Sequence, residues 1–131
     1  MQYANTFSVC PYCGTGCGFY LQTLDGELIG LRPAPSHPVS QGKLCIKGWQ
    51  AHEFVTSPDR LKKPLIRKSG ELKEASWDEA LGVVAEKLKA AGPEHVAVLA
   101  SAKCTNEENY LLQKFARVAL QTNSIDHCAR L

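Results

Sequence analysis

Cys10, Cys13 and Cys17 stand in the run CPYCGTGC with C-x2-C-x3-C spacing, and Cys45 follows after 27 intervening residues. Four thiolates are what a 4Fe-4S cube requires, one for each iron corner. A loop can wrap three corners if its backbone turns tightly, and Gly14, Gly16 and Gly18 supply that freedom. Cys45 then closes the fourth corner from elsewhere in the chain. Zinc is the competing reading. Structural zinc sites usually combine two close cysteine pairs, or a cysteine pair with a histidine pair. Cys45 has no cysteine or histidine two to four residues away, and neither His37 nor His52 has knuckle spacing to it. A disulfide framework and a chance cluster of unliganded thiols complete the alternatives.

Lys47 lies two residues beyond Cys45. A cation there favours the reduced, more negative state of a bound cluster and could donate to a neighbouring redox group; the plainer reading is an exposed surface lysine. Cys104 and Cys128 stand apart and read as small buried hydrophobes. The four histidines, His37, His52, His95 and His127, show no mutual spacing that suggests a zinc or catalytic pair.

The elements that must position these groups fall into two textures. Up to about Asp59 the chain is rich in Gly, Pro, Ser and Cys. Phe19–Thr23 and Leu28–Arg32 flank Asp25-Gly26, which predicts a hairpin. The stretch RPAPSHPVSQGK holds three prolines and predicts no regular structure. So little continuous apolar sequence implies a staple. A second hairpin is expected over Pro64–Ala75, turning at Ser69-Gly70. Ser76 with Glu79 predicts a capped helix carrying Trp77, Ala80, Leu81, Val84, Ala85 and Leu88 on one face, and Gly92-Pro93 ends it. His95–Ala100 reads as a strand buried on both faces. Thr105 with Glu108 opens a helix over 106–121 with Leu112, Phe115, Ala116 and Ala119 on its core side, and 124–128 begins another strand. This order predicts an α/β fold: a small domain of short β-hairpins over 1–62, then the start of an αβα parallel-sheet domain over 63–131. One and a half βα units cannot cover both faces of such a sheet, so the second domain reads as incomplete.

Composition narrows the classes. The 131 residues are 44% hydrophobic and 21% charged, typical of a soluble globular chain. Fifteen basic against 13 acidic residues, net +2, argue against a nucleic-acid surface, and Arg60–Lys63 reads as a solvated turn. No run is long enough to span a membrane, and the N-terminus has neither a signal-peptide pattern nor twin arginines. The expected location is therefore cytoplasmic, where thiols serve metals more than disulfides.

The spacing C-x2-C-x3-C-x27-C followed by x-K-G resembles the N-terminal 4Fe-4S domain of the molybdopterin oxidoreductases of the dimethyl sulfoxide reductase family. Within it, GKLCIKGW, TSPDRLKKPLIR, ASWDEAL, SAKCTNEENYLLQKFAR and TNSIDHCARL look like formate dehydrogenase catalytic subunits, and the likeness covers the whole chain. It implies that Cys10, Cys13, Cys17 and Cys45 hold the cluster. Lys47 would lie between the cluster and the proximal pterin of a bis(molybdopterin guanine dinucleotide) carrying molybdenum or tungsten. The implied activity converts formate reversibly to carbon dioxide, a proton and two electrons. The turn Ser101–Thr105, at the C-terminal end of a predicted strand, is expected near the pterin.

Implied partners are the remainder of the catalytic subunit and an acceptor: an iron–sulfur, ferredoxin, hydrogenase or diaphorase-type (nicotinamide-reducing) subunit. In the resembled enzymes the CAR-hydrophobic run is followed by selenocysteine or cysteine, the metal ligand, so no catalytic residue is expected within this chain. A selenocysteine codon read as a stop is the expectation for its end at Leu131. The alternatives are a separate 4Fe-4S relay protein and a zinc-stapled interaction domain.

Overall fold

The computed structural model describes residues 1–128. Asp25 (φ 50°) and Gly26 (φ 86°) both adopt the left-handed backbone that a tight hairpin demands. They join β2 (Gly18–Leu24) to β3 (Glu27–Pro33) as the sequence predicts. A further strand, β1 (Tyr3–Val9), pairs antiparallel with β2 from Tyr3↔Leu24 to Val9↔Gly18, giving the order β1-β2-β3. It was not foreseen because it is an edge strand exposed along almost its whole length, so no buried face imprints an alternating pattern on it.

A small core lies against this sheet. Cys10, Phe19, Leu31 and Ala51 are buried together, with Tyr12, Cys17, Leu21 and Leu44 packed around them. Phe19, 2% exposed, is its largest member, and such burial contributes about 1.5–3 kcal/mol. The proline-rich connection is irregular, yet hydrogen bonds tie it down. Ala34 N donates to Gly18 O at 3.1 Å, Gly42 N to Ala34 O at 3.1 Å, and Gly18 N to Ser40 Oγ at 3.2 Å. Two helices of four residues follow, α1 (Ile46–Trp49) and α2 (Glu53–Thr56). A single turn is too short for periodicity to reveal.

The second hairpin, β4 (Leu65–Lys68) and β5 (Glu71–Glu74), turns at Ser69 (φ 51°) and Gly70 (φ 88°). Ser76 Oγ accepts from Glu79 N at 3.1 Å and starts α3 (Trp77–Ala91), which stops at Gly92 (φ 75°). The strand predicted over 95–100 shrinks to β6 (Val98–Ala100), because Pro93–His95 form a 3-10 turn. In α4 (Asn106–Val118), Thr105 Oγ1 accepts from Glu108 N at 3.2 Å and Glu108 Oε2 accepts from Thr105 N at 2.7 Å, a complete capping box. Thr105→Ala is expected to lower stability by about 1 kcal/mol in a urea titration, with Thr105→Ser near wild type.

Helix α4 ends three residues early, where Leu120 N turns back to Phe115 O and Gln121 takes φ 55°. Then β7 (Ile125–His127) runs parallel to β6, with Val98↔Ile125 and Ala100↔His127 in register. This β6-α4-β7 crossover is the α/β arrangement the sequence predicts. The expected helix faces are only partly covered. Ala116 is fully buried, but Phe115 is 46% and Leu81 58% exposed, since two short parallel strands offer little surface to pack on.

Candidate metal centre

Sheet register brings Cys10 and Cys17 together. Beyond the last β1–β2 pair, Val9↔Gly18, Cys10 N donates to Cys17 O at 2.8 Å and closes the loop 10–17. Within it Gly16 takes φ 64°, with its N–H directed to Cys13 O at 3.4 Å, so this glycine supplies the turn. Gly14 and Gly18 serve differently from the expectation: they permit close approach. Gly14 O accepts from Asn106 Nδ2 at 2.9 Å, where a methyl group would strike the Asn106 side chain. A methyl group on Gly18 would meet the His37 ring.

Cys45 comes from the far side of the proline-rich connection and stands at the N-cap of α1, where its carbonyl accepts from Trp49 N at 3.0 Å. Its thiol makes no cap hydrogen bond and is exposed. Cys10, Cys13, Cys17 and Cys45 all line one cavity of about 430 Å3. Lys47 and, unforeseen, Lys103 line it too. Neither His37 nor His52 does. His37 instead stacks on Phe7 and bonds Ser40, while His52 Nδ1 is buried without a hydrogen-bond partner among the described residues.

Burial pushes the Cys10 and Cys17 thiols up. A backbone hydrogen bond at Tyr12 counters this for Cys10, and repulsion from the neighbouring cysteines adds to it at both positions. Both thiols sense Cys13 and Cys45, so the four lie within electrostatic reach of one another. Gathering four thiolates here is unfavourable unless positive charge arrives with them, and a metal group supplies that charge. Yet no three of the described His, Cys, Asp and Glu side chains converge as a single ion needs. A tetrahedral zinc with bonds of about 2.3 Å draws its sulfurs into one tight knot. Thiols spread around a shared cavity suit a polynuclear cluster better, so the donor set fits a 4Fe-4S group.

The turn after β6 forms the other face of this region. Ser101 and Ala102 line a cavity of about 340 Å3 with Asn109, Gln113, Asp126 and His127, and Ala102 also borders the thiol cavity. Asn109 grips Ser101 twice, donating to its carbonyl at 3.0 Å and accepting from its N–H at 3.4 Å. Cys128 is exposed, contrary to expectation. Its sulfur lies 3.3 Å from Ser101 Oγ and accepts from Ala102 N at 3.4 Å. The Ser101 hydroxyl foremost, then the Ala102 amide, hold this thiol below its ordinary range. A polar turn packs against Cys128. Cys104 is half-buried. The rest of the CARL run, 129–131, lies outside the described residues.

Comparison with known proteins gives two family matches: the molybdopterin oxidoreductase Fe4S4 domain over residues 4–57, and molybdopterin oxidoreductase over 60–131. Among curated relatives, the F420-dependent formate dehydrogenase 1 subunit alpha of Methanococcus maripaludis is 60% identical over 124 residues, 95% of this chain and 18% of its own length. The F420-dependent formate dehydrogenase subunit alpha of Methanocaldococcus jannaschii is 53% identical over 131 residues, 100% of this chain and 19% of its own length. The chain thus spans under a fifth of the length of these relatives. Among the described residues no helix is long and apolar enough to cross a membrane.

Proposed function

As the chain belongs to the molybdopterin oxidoreductase family, we propose that it forms the electron-relay portion of a formate dehydrogenase alpha subunit. Residues 1–62 form the cluster unit and 63–131 open the molybdopterin-binding α/β unit. Cys10, Cys13, Cys17 and Cys45 hold a 4Fe-4S cluster, which supplies one-electron storage when bound. The observation that carries this reading is the convergence of those four thiols, from two distant segments, on one cavity that Lys47 also lines.

Each thiol enters as a thiolate, so loading the site releases protons from the raised Cys10 and Cys17. Lys47 lines the site, where its positive charge would favour added negative charge and could donate to a neighbouring pterin. The Ser101–Thr105 turn, at the C-terminal end of β6, would offer backbone groups to that pterin. No residue of this segment is assigned as ligand to the pterin-held metal, molybdenum or tungsten. That ligand is selenocysteine or cysteine in the enzymes this chain resembles.

The complete enzyme converts formate to carbon dioxide, a proton and two electrons, which leave one at a time to a partner subunit. The names of the relatives at 53–60% identity favour F420 as the acceptor, and a set of thiols suited to a metal group favours a cytoplasmic enzyme. The complete alpha subunit, isolated without oxygen, should contain iron and sulfide near four each per cluster and show the resonance spectrum of a reduced cubane. With its partner it should reduce F420 from formate. Zinc in place of iron would overturn the assignment.

Lys47→Ala is expected to retain iron while slowing electron transfer into the cluster about tenfold, equivalent to about 1.4 kcal/mol of barrier, in stopped-flow absorbance. Loss of the cluster itself would make the lysine structural.

A further inference from the structure

The turn joining β6 to α4, and the first residue of α4 after it, approach the thiol site. Asn106 Nδ2 donates to Gly14 O, and Lys103 lines the cavity that the four thiols share. Lys103 and Lys47 also line a neighbouring, more open cavity of about 700 Å3 together with Tyr12, Phe54 and Glu53. Glu53 is the acidic member of that second cavity, whereas among the described residues no carboxylate lines the thiol cavity. Among the described residues no carboxylate forms an ion pair with either lysine.

The backbone beneath Lys103 is firmly held. Its N–H donates to Ser101 Oγ at 3.0 Å, Cys104 N donates to Ser101 O at 3.2 Å, and Asn109 grips Ser101 from α4. The cation is therefore delivered to the thiol site by the second unit, through a turn clamped to the thiol loop at Gly14.

We propose that Lys103 is a positioning residue that raises the reduction potential of the cluster held by Cys10, Cys13, Cys17 and Cys45. The inference rests on the cluster assignment above. Each electron taken up makes the cluster one unit more negative, and a fixed ammonium at its wall favours that state. Lys103 is exposed, so solvent and salt weaken its field without abolishing it. For a unit charge about 10 Å away at an effective dielectric of about 20, the attenuated effect is about fivefold in the ratio of reduced to oxidised cluster. That is about 40 mV for a one-electron couple.

The test is a redox titration of the complete alpha subunit with its partner, followed by paramagnetic resonance, for wild type, Lys103→Gln and Lys103→Arg. Metal content is measured first. Wild type without iron would overturn the cluster assignment, independently of the role of Lys103. With iron present, Lys103→Gln should keep its cluster and titrate about 40 mV lower, Lys103→Arg should restore the wild-type midpoint, and the gap should narrow as ionic strength rises. An unchanged midpoint in Lys103→Gln would overturn the proposal. So would loss of iron from that variant, because Lys103 would then support the loop and not tune the cluster.

Discussion

Cys45→Ala is expected to strip the protein of its cluster while leaving the fold almost untouched. Cys45 is exposed, stands at the N-cap of α1 and makes no cap hydrogen bond with its thiol, so removing the sulfur should cost the fold little. In the proposed site it would close a fourth corner, reached from outside the loop 10–17. Outer-shell partners alone command about 10–100-fold in metal affinity, and removal of a thiolate ligand should exceed that.

Cys10→Ala should lose the cluster as well, but with a second cost. Cys10 is 5% exposed and sits in the core with Phe19, Leu31 and Ala51. Truncating it leaves a void there, worth about 1 kcal/mol of stability even without iron. Iron content with urea denaturation of the metal-free forms separates the two effects. Cys104→Ala and Cys128→Ala, at cysteines that do not line the thiol cavity, should keep full iron. Full iron in Cys45→Ala would remove that residue from the ligand set.

Gly18→Ala is the second large effect, and it is steric. An added Cβ would lie 2.7 Å from His37 Cγ and 3.0 Å from Phe7 Cε2. Neither ring can yield easily. His37 Nδ1 is bonded by Ser40 through its N–H at 3.3 Å and lies 3.2 Å from Ser40 Oγ, and the His37 and Phe7 rings stack with centroids 6.0 Å apart. Overpacking of this kind costs about 1–3 kcal/mol. It would also strain the Gly18 N–H bond to Ser40 that anchors the proline-rich connection carrying Cys45.

Gly14→Ala is the contrast, since its methyl group meets only the far end of the Asn106 side chain. That side chain can swing away at the loss of one hydrogen bond, about 0.5–1.5 kcal/mol. Equal stability of the two variants in urea titration would show that the His37 ring has more room than its contacts indicate.

Much of the scaffold was legible because its signals are local. Asp25-Gly26 and Ser69-Gly70 carry turn conformations in adjacent residues, and Ser76 and Thr105 cap their helices within one turn. The elements that escaped notice lack such signals: β1 is an exposed edge, and α1 and α2 are single turns. Cys128 was misread as buried because an apolar-looking neighbourhood in sequence says nothing about the polar turn packed on it from Ser101 and Ala102.

The same division runs through the site. The spacing of Cys10, Cys13, Cys17 and Cys45 singled out the four cysteines that line one cavity, since loop length limits how neighbouring thiols can be grouped. The tertiary structure decided what surrounds that set. The β1–β2 register closes the loop, hydrogen bonds through Gly18, Ala34 and Ser40 hold the connection that carries Cys45, and the β6-α4 turn brings Asn106 and Lys103 onto the thiol loop. Lys103 is far from every ligand along the chain. The Asn106 hydrogen bond to Gly14, which joins the start of α4 to the loop 10–17, accompanies its approach to the thiol cavity.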